Sequence, residues 1–282
     1  MRIKAQLEPG KVAVVTGGSS GIGKAIACEL AECGMHVWLL AQRKEILVSA
    51  QKEVESHRKD QSQVIGIVSI DVSDLDQVRK ATTFITEKCG LPDLLVNSAG
   101  VTQPGYIEKL DIHVFHWMME VNYFGTVYMV KELLPAMLER GSGYILNICS
   151  FSGVISSFGY TAYGASKYAV HGFTEALRME LIRRGIGVSI LFPTDTDTPQ
   201  LAYENQFKPL ETRALNSAGG LYQPESVAKF ALNAIQHGRY FILPNFDTKW
   251  MYFVNRLLPS IKYLIADMII ASARKKNNSS TE

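Results

Sequence analysis

The sequence predicts an α/β domain built on one doubly wound parallel sheet flanked by helices, followed by an apolar C-terminal helical extension. Three observations carry this. Short apolar runs rich in Val and Ile alternate with amphipathic helical stretches. The first such run passes directly through a glycine-rich turn into a helical pattern. The chain has 282 residues, 47% of them hydrophobic, which suits one large core better than two small ones. A formal charge of +2 gives no basis for binding nucleic acid. Cys28, Cys33, Cys89 and Cys149 form no CxxC pair and read as core thiols in a reducing compartment. His113 and His116 have no accompanying carboxylate motif, so no metal is expected. Met1 to Gly10 is polar, which predicts neither signal peptide nor N-terminal anchor and a cytoplasmic placement.

In chain order, Lys11 to Val15 reads as a buried strand, Thr16-Gly-Gly-Ser-Ser-Gly-Ile-Gly23 as a turn, and Lys24 to Cys33 as a helix. Strand, glycine-rich turn and helix N-terminus together make a pyrophosphate site, because backbone N–H groups can approach phosphate where no Cβ intervenes. A tight turn that merely needs glycine is the alternative. The second strand, His36 to Ala41, ends in Gln42-Arg43-Lys44, with no carboxylate before Glu45. Cations without an acid favour the 2′-phosphate of NADP(H) over the free ribose of NAD, unless these are simply solvated charges. Val64 to Ile70 is the third strand, ending in Asp71-Val72-Ser73. Asp71 is either an adenine contact or a turn residue, and Ser73 is the expected N-cap of a helix from Leu75 to Cys89. Asp93 to Val96 is the fourth strand and leads into Asn97-Ser-Ala-Gly100. Asp111 to Leu138 reads as one long helix, Gly143 to Cys149 as the fifth strand, Tyr163 to Arg183 as a helix and Gly187 to Phe192 as the sixth strand.

Tyr163 and Lys167 fall four residues apart and so share a helix face. An ammonium near a phenol stabilises the phenolate and draws the phenol's pKa toward neutrality. Tyr163 then becomes a proton donor to a carbonyl oxygen or an acceptor from an alcohol. The fifth strand delivers Ser150 to the same edge, where its hydroxyl can steady a developing oxyanion.

Thr16-Gly17-x3-Gly21-x-Gly23, Asn97-x-Ala99-Gly100, Asn122, Ser150 and Tyr163-x3-Lys167 resemble, in order and spacing, the short-chain dehydrogenase/reductase family. The resemblance covers roughly residues 10 to 245 and implies a single Rossmann-like NADP(H)-binding catalytic domain over 1–245, with 246–282 as the extension. It implies Tyr163 as acid/base, Lys167 as the group that lowers its pKa and holds the nicotinamide ribose, Ser150 on the substrate oxygen and Asn122 holding a relay water. It also implies Thr16, Gly17, Ser19, Ser20, Gly21, Ile22 and Gly23 around the pyrophosphate side of the cofactor and Gln42 and Arg43 at the 2′ position. Asp71 and Val72 would meet the adenine, Asn97 the adenosine-side ribose, with Ala99 and Gly100 beside it, and Pro193 and Thr198 the nicotinamide. Pairing through the helices that carry Asn122 and Tyr163, as dimer or tetramer, follows by the same likeness.

Pro193-Thr194 in place of the family's usual Pro-Gly, Glu204-Asn205, Lys208-Pro-Leu-Glu-Thr212 and Phe158-Gly-Tyr-Thr-Ala-Tyr163 resemble the branch that reduces a sphingoid-base ketone with NADPH. Gln42 departs from the Arg often found there, with Arg43 one residue later. The substrate expected is a lipid-like ketone. A steroid, retinoid or 3-ketoacyl compound is the alternative within the class, and a non-catalytic NADP(H)-sensing regulator the alternative outside it. The segment from Thr194 to Tyr222 is expected as a lid loop over the acyl chain. Phe246 to Ala273 is dense in large apolar residues and ends at Arg274-Lys275-Lys276. It reads either as interfacial helices that make peripheral contact with a membrane through 246–276, or as a helix pair packed on the core. Asn277 to Glu282 is expected to be disordered.

Overall fold

A computed structural model describes residues 2–216 and 220–279 of the chain. The strands are β1 (Val12–Thr16), β2 (His36–Ala41), β3 (Ile65–Ser69), β4 (Leu94–Asn97), β5 (Gly143–Ile148), β6 (Ile186–Leu191) and β7 (Phe241–Ile242). They form one sheet in the order β3-β2-β1-β4-β5-β6-β7, every pair parallel. The order reverses between β1 and β4, so the loops leaving these two strands diverge and open a crevice at their carboxyl ends.

Side chains alternate along each strand. Ala13 and Val15 of β1 point into one apolar layer, together with α1 (Gly21–Glu32), α2 (Lys44–Ser56) and α9 (Pro224–Gln236). Val12 and Val14 point into the opposite layer, with α3 (Leu75–Cys89), α5 (Gly125–Arg140) and α6 (Thr161–Leu181). The central strands are thus buried on both faces, which is why they read as unbroken apolar runs.

The structure departs from the sequence expectations at particular points. The N-cap of α3 is Asp74, whose carboxylate accepts from the backbone N–H groups of Asp76 and Gln77 at 2.9 and 3.1 Å; Ser73 instead hydrogen-bonds Asp71. The long helix expected over Asp111 to Leu138 is interrupted: α4 (Ile112–Met118) passes into a π-helical turn, Met119–Phe124, before α5. The lid segment is not a loop but two short helices, α7 (Pro199–Glu204) and α8 (Leu210–Asn216), tied back by a bridge between Thr196 and Tyr222; residues 217–219 of it lie outside the described residues.

The extension forms α10 (Phe246–Leu257) and α11 (Ile261–Ser279). They break at Leu258, the residue before Pro259, where the proline ring excludes helical geometry. Helix α11 runs past Asn277, where disorder was expected, to Ser279; residues 280–282 lie outside the described residues. Among the described residues, no helix is long and apolar enough to cross a membrane.

Candidate active site

The turn between β1 and α1 forms a cradle at the crevice. Gly17 and Gly21 have φ of +64° and +54°, a region that L side chains rarely occupy. A Cβ on Gly23 would lie 2.5 Å from the Gly17 carbonyl oxygen, so this close approach requires glycine. Ser20 stands at the N-cap of α1 without a side-chain cap bond, which leaves the N–H groups of the first helical turn open. Ser19, Ser20, Gly21, Ile22 and Gly23 line a cavity of about 1180 Å³. Open donors, a helix N-terminus and a glycine cradle fit a dinucleotide pyrophosphate. Further along the wall lie Gln42, Arg43, Asp71, Val72, Ala99, Gly100, Pro193 and Thr198.

Thr16 and Asn97 are not on that wall. Thr16 is buried, and its Oγ1 accepts from the N–H groups of Ser98 and Ala99, both at 3.1 Å, so it pins the β4 loop from behind. Asn97 Nδ2 donates to Asn147 Oδ1 at 2.9 Å inside the sheet. Both residues end strands, and their side chains meet protein partners there, with Asn97 Oδ1 left without one among the described residues. Asp71 serves its turn, accepting from Ser73 at 2.6 and 2.9 Å, and also accepts from Gln42 Nε2 at 3.0 Å. Arg43 at the start of α2 is exposed and makes no ion pair among the described residues.

The second half of the cavity holds Ser150, Tyr163 and Lys167. Helix α6 places Tyr163 and Lys167 on its buried face. The Lys167 ammonium donates to the Ile148 carbonyl at 3.3 Å and lies 5.7 Å from the centroid of the Tyr163 ring. Burial raises the Tyr163 phenol above its ordinary value; a hydrogen bond from Ser150 pulls it back, and the Glu204 carboxylate pushes it up further. Burial lowers Lys167. The expected lowering of Tyr163 by Lys167 is therefore not the governing effect in this structure, because the ammonium sits over the ring and burial outweighs it.

Asn122 is in the π-helical turn and is 1% exposed, where a helical Asn is ordinarily on the surface. The wider turn redirects it inward. Its Oδ1 accepts from Val101 N–H at 2.8 Å, and its Nδ2 donates to the Val101 carbonyl and to Ser166 Oγ at 3.0 and 2.9 Å. A Cβ on Gly100 would stand 3.3 Å from Asn122 Oδ1 and 3.4 Å from Lys167 Nζ, so these two polar groups converge on that glycine.

Beyond Tyr163 the cavity becomes apolar under α10 and α11, which contribute Trp250, Met251, Val254, Ile265 and Ile269. Helix α11 is clamped to α8 by Arg274, whose Nε donates to Glu211 Oε1 at 2.8 Å; Tyr106 donates to the other carboxylate oxygen at 2.8 Å. Arg274, the first residue of the basic run that ends the extension, is thus paired within the protein. The sequence reading assigned no role to Tyr160, Glu204, Lys208 or Glu211. These residues lie in the motifs that carry the resemblance, and the Glu204-x3-Lys208 spacing among them realises an ion pair of 2.7 Å.

Residues 11–209 match the family described as short chain dehydrogenase. The chain belongs to the short-chain dehydrogenase family. It is 42% identical to a 3-ketodihydrosphingosine reductase of Bos taurus over 233 residues, which are 82% of this chain and 70% of the relative. It is 44% identical to a 3-dehydrosphinganine reductase of Danio rerio over 228 residues, 80% of this chain and 69% of the relative. A solved short-chain dehydrogenase from Burkholderia phymatum, in complex with NAD, superposes with a TM-score of 0.79 at 26% identity, covering 92% of this chain and 96% of that one. A nicotinamide dinucleotide is the cofactor of such a short-chain dehydrogenase, and the cradle has the form its pyrophosphate needs.

Proposed function

We propose that this chain reduces the ketone of 3-dehydrosphinganine to the alcohol, with NADPH as the reductant. The observation that carries the reading is a cavity that joins a dinucleotide cradle to an apolar compartment at Tyr163, in a chain 42% and 44% identical to reductases named for this substrate. The chemistry supplied by the bound cofactor is hydride delivery to the ketone carbon. Tyr163 donates the proton to the ketone oxygen, and Ser150 hydrogen-bonds that oxygen as charge develops. The Tyr163 phenolate left by that step takes its proton back from solvent, through the Lys167 ammonium and a water held beside Asn122, whose carboxamide approaches Lys167 at Gly100. The walls from α10 and α11 hold the acyl chain and exclude water.

NADPH is supported by the absence of a carboxylate at Gln42 and Arg43 and by the exposed Arg43 guanidinium at the cavity edge. A charged hydrogen bond of the usual strength predicts that Arg43→Ala raises KM for NADPH roughly 10- to 100-fold while KM for NADH stays within about threefold. Steady-state kinetics with both cofactors test this, and equal losses would contradict the assignment.

Away from the cavity, α10 and α11 expose Phe253, Leu257, Leu264 and Met268. We place this face against a lipid surface, on the cytosolic side of a membrane, where an apolar substrate can enter beneath the helices. Sedimentation with vesicles checks it: the chain is expected in the pellet, and Leu264→Asp with Met268→Asp is expected to leave it in solution. Equal partition of the two proteins would count against the contact.

A further inference from the structure

A compact charged cluster borders the catalytic end of the cavity and takes no part in the steps above. Glu204 and Lys208 are each 7% exposed. Glu204 Oε1 accepts from the Lys208 ammonium at 2.7 Å and from the Tyr160 hydroxyl at 3.1 Å. Asp195 Oδ2 lies 3.8 Å from the same ammonium. Two carboxylates therefore share one cation. Glu204 Oε2 and Asp195 Oδ1 have no hydrogen-bond partner among the described residues, and both side chains line the cavity.

The cluster abuts the reaction centre. The Tyr160 and Tyr163 rings stand 5.7 Å apart, and the charges of Glu204 and Asp195 are both felt at the Tyr163 phenol. Other cations nearby are occupied elsewhere. Arg213 donates to the carbonyls of Lys208 and Asn205, and Lys262 lies with its ammonium over the Tyr263 ring at 5.0 Å.

A buried carboxylate that keeps its charge needs a compensating cation or donors, and Lys208 can satisfy only part of two. A plain hydrocarbon ketone offers nothing for these carboxylates to bind. It suits a ligand with a positive charge close to the carbonyl.

We propose that Glu204 and Asp195 bind a primary ammonium on the carbon beside the substrate ketone, and so select long-chain 2-amino ketones over ketones that lack the amine. Lys208 and Tyr160 are positioning residues: they hold Glu204 against the wall with one oxygen engaged and one free. The inference rests on the sphingoid reading above, whose substrate carries its amine on that carbon.

The test compares kcat/KM for 3-dehydrosphinganine with that for the long-chain 1-hydroxy-3-ketone of equal length lacking the amine, both in detergent micelles with NADPH. Charged hydrogen bonds of ordinary strength predict a preference of roughly 10- to 100-fold for the amino ketone in the unmodified protein. Glu204→Gln, which keeps the shape and the Tyr160 contact, and separately Asp195→Asn, are expected to narrow that ratio by at least tenfold. A purely structural role for the cluster would lower both rates together and leave the ratio intact, and that result overturns the proposal while sparing the sphingoid reading. Should Glu204→Gln fail to fold, Asp195→Asn carries the test, since Asp195 is 40% exposed at the side chain and its loss leaves the Glu204–Lys208 pair in place. Failure of the unmodified protein to turn over either long-chain ketone would overturn the sphingoid reading and this inference with it.

Discussion

Replacing Tyr163 with Phe lowers ketone reduction by roughly 10²- to 10⁴-fold, the ordinary worth of a positioned proton donor. The substitution removes one oxygen from a ring that is 8% exposed, so the fold and cofactor binding are expected to persist. The adjacent phenol cannot take over. Tyr160 is 5.7 Å away ring to ring, but its hydroxyl is donated to Glu204. The pH profile follows with a definite sign. Burial holds the Tyr163 pKa above its ordinary value, so the protonated donor persists through neutral pH and its loss lowers reduction on the alkaline side. Single-turnover rates with saturating NADPH measure both effects. A Phe variant within threefold of the unmodified rate, or a loss of rate on the acid side of neutrality traced to Tyr163, would remove this residue from the proton transfer.

Gly17→Ala is expected to cost the cofactor site almost as much. The residue has φ of +64°, and an added Cβ would stand 2.8 Å from the Ala99 nitrogen and from the Ser98 carbonyl. The left-handed conformation alone costs about 1–2 kcal/mol with a side chain present. The contact is with backbone of the β4 loop, which Thr16 holds through two hydrogen bonds, so the neighbour cannot swing aside. Relief must come from the turn itself, which moves the N–H groups of the α1 N-terminus off the phosphates. NADPH titration should show affinity at least tenfold weaker, with a melting temperature lower by several degrees. Unaltered affinity would mean that the turn does not carry the pyrophosphate.

What could be read from the residues, and what could not, has a physical basis. Glycine spacing between β1 and α1 was legible because both the turn and the close approach to Ser98 require the missing Cβ. Alternation of strand and helix was legible because strands buried on both faces leave unbroken apolar runs. β7 is two residues long, Phe241 and Ile242, and no periodicity can announce so short an edge strand. Ser73 and Asp74 are both good caps, and only the backbone decides between them. The π-helical turn around Asn122 adds a residue to the helix, and the glycine that follows it, Gly125, sits in ordinary helical geometry and does not announce it. The orientations of Thr16 and Asn97 depend on Ser98, Ala99 and Asn147, partners that the fold supplies. Glu204 and Glu211 were read within an expected lid loop, and their burial came only with α7 and α8 closing over Tyr160 and with Arg274 arriving from α11.

The central claim is that the apolar compartment and Tyr163 together serve a sphingoid ketone. It is tested most directly by following NADPH oxidation with 3-dehydrosphinganine in detergent micelles, beside a soluble 3-ketoacyl thioester as the competing ketone. The account predicts turnover of the sphingoid ketone with formation of the corresponding alcohol, and a rate on the thioester at least tenfold lower. Turnover of the thioester alone would leave Tyr163, Ser150 and Lys167 as a ketone-reducing set but contradict the assignment of the substrate.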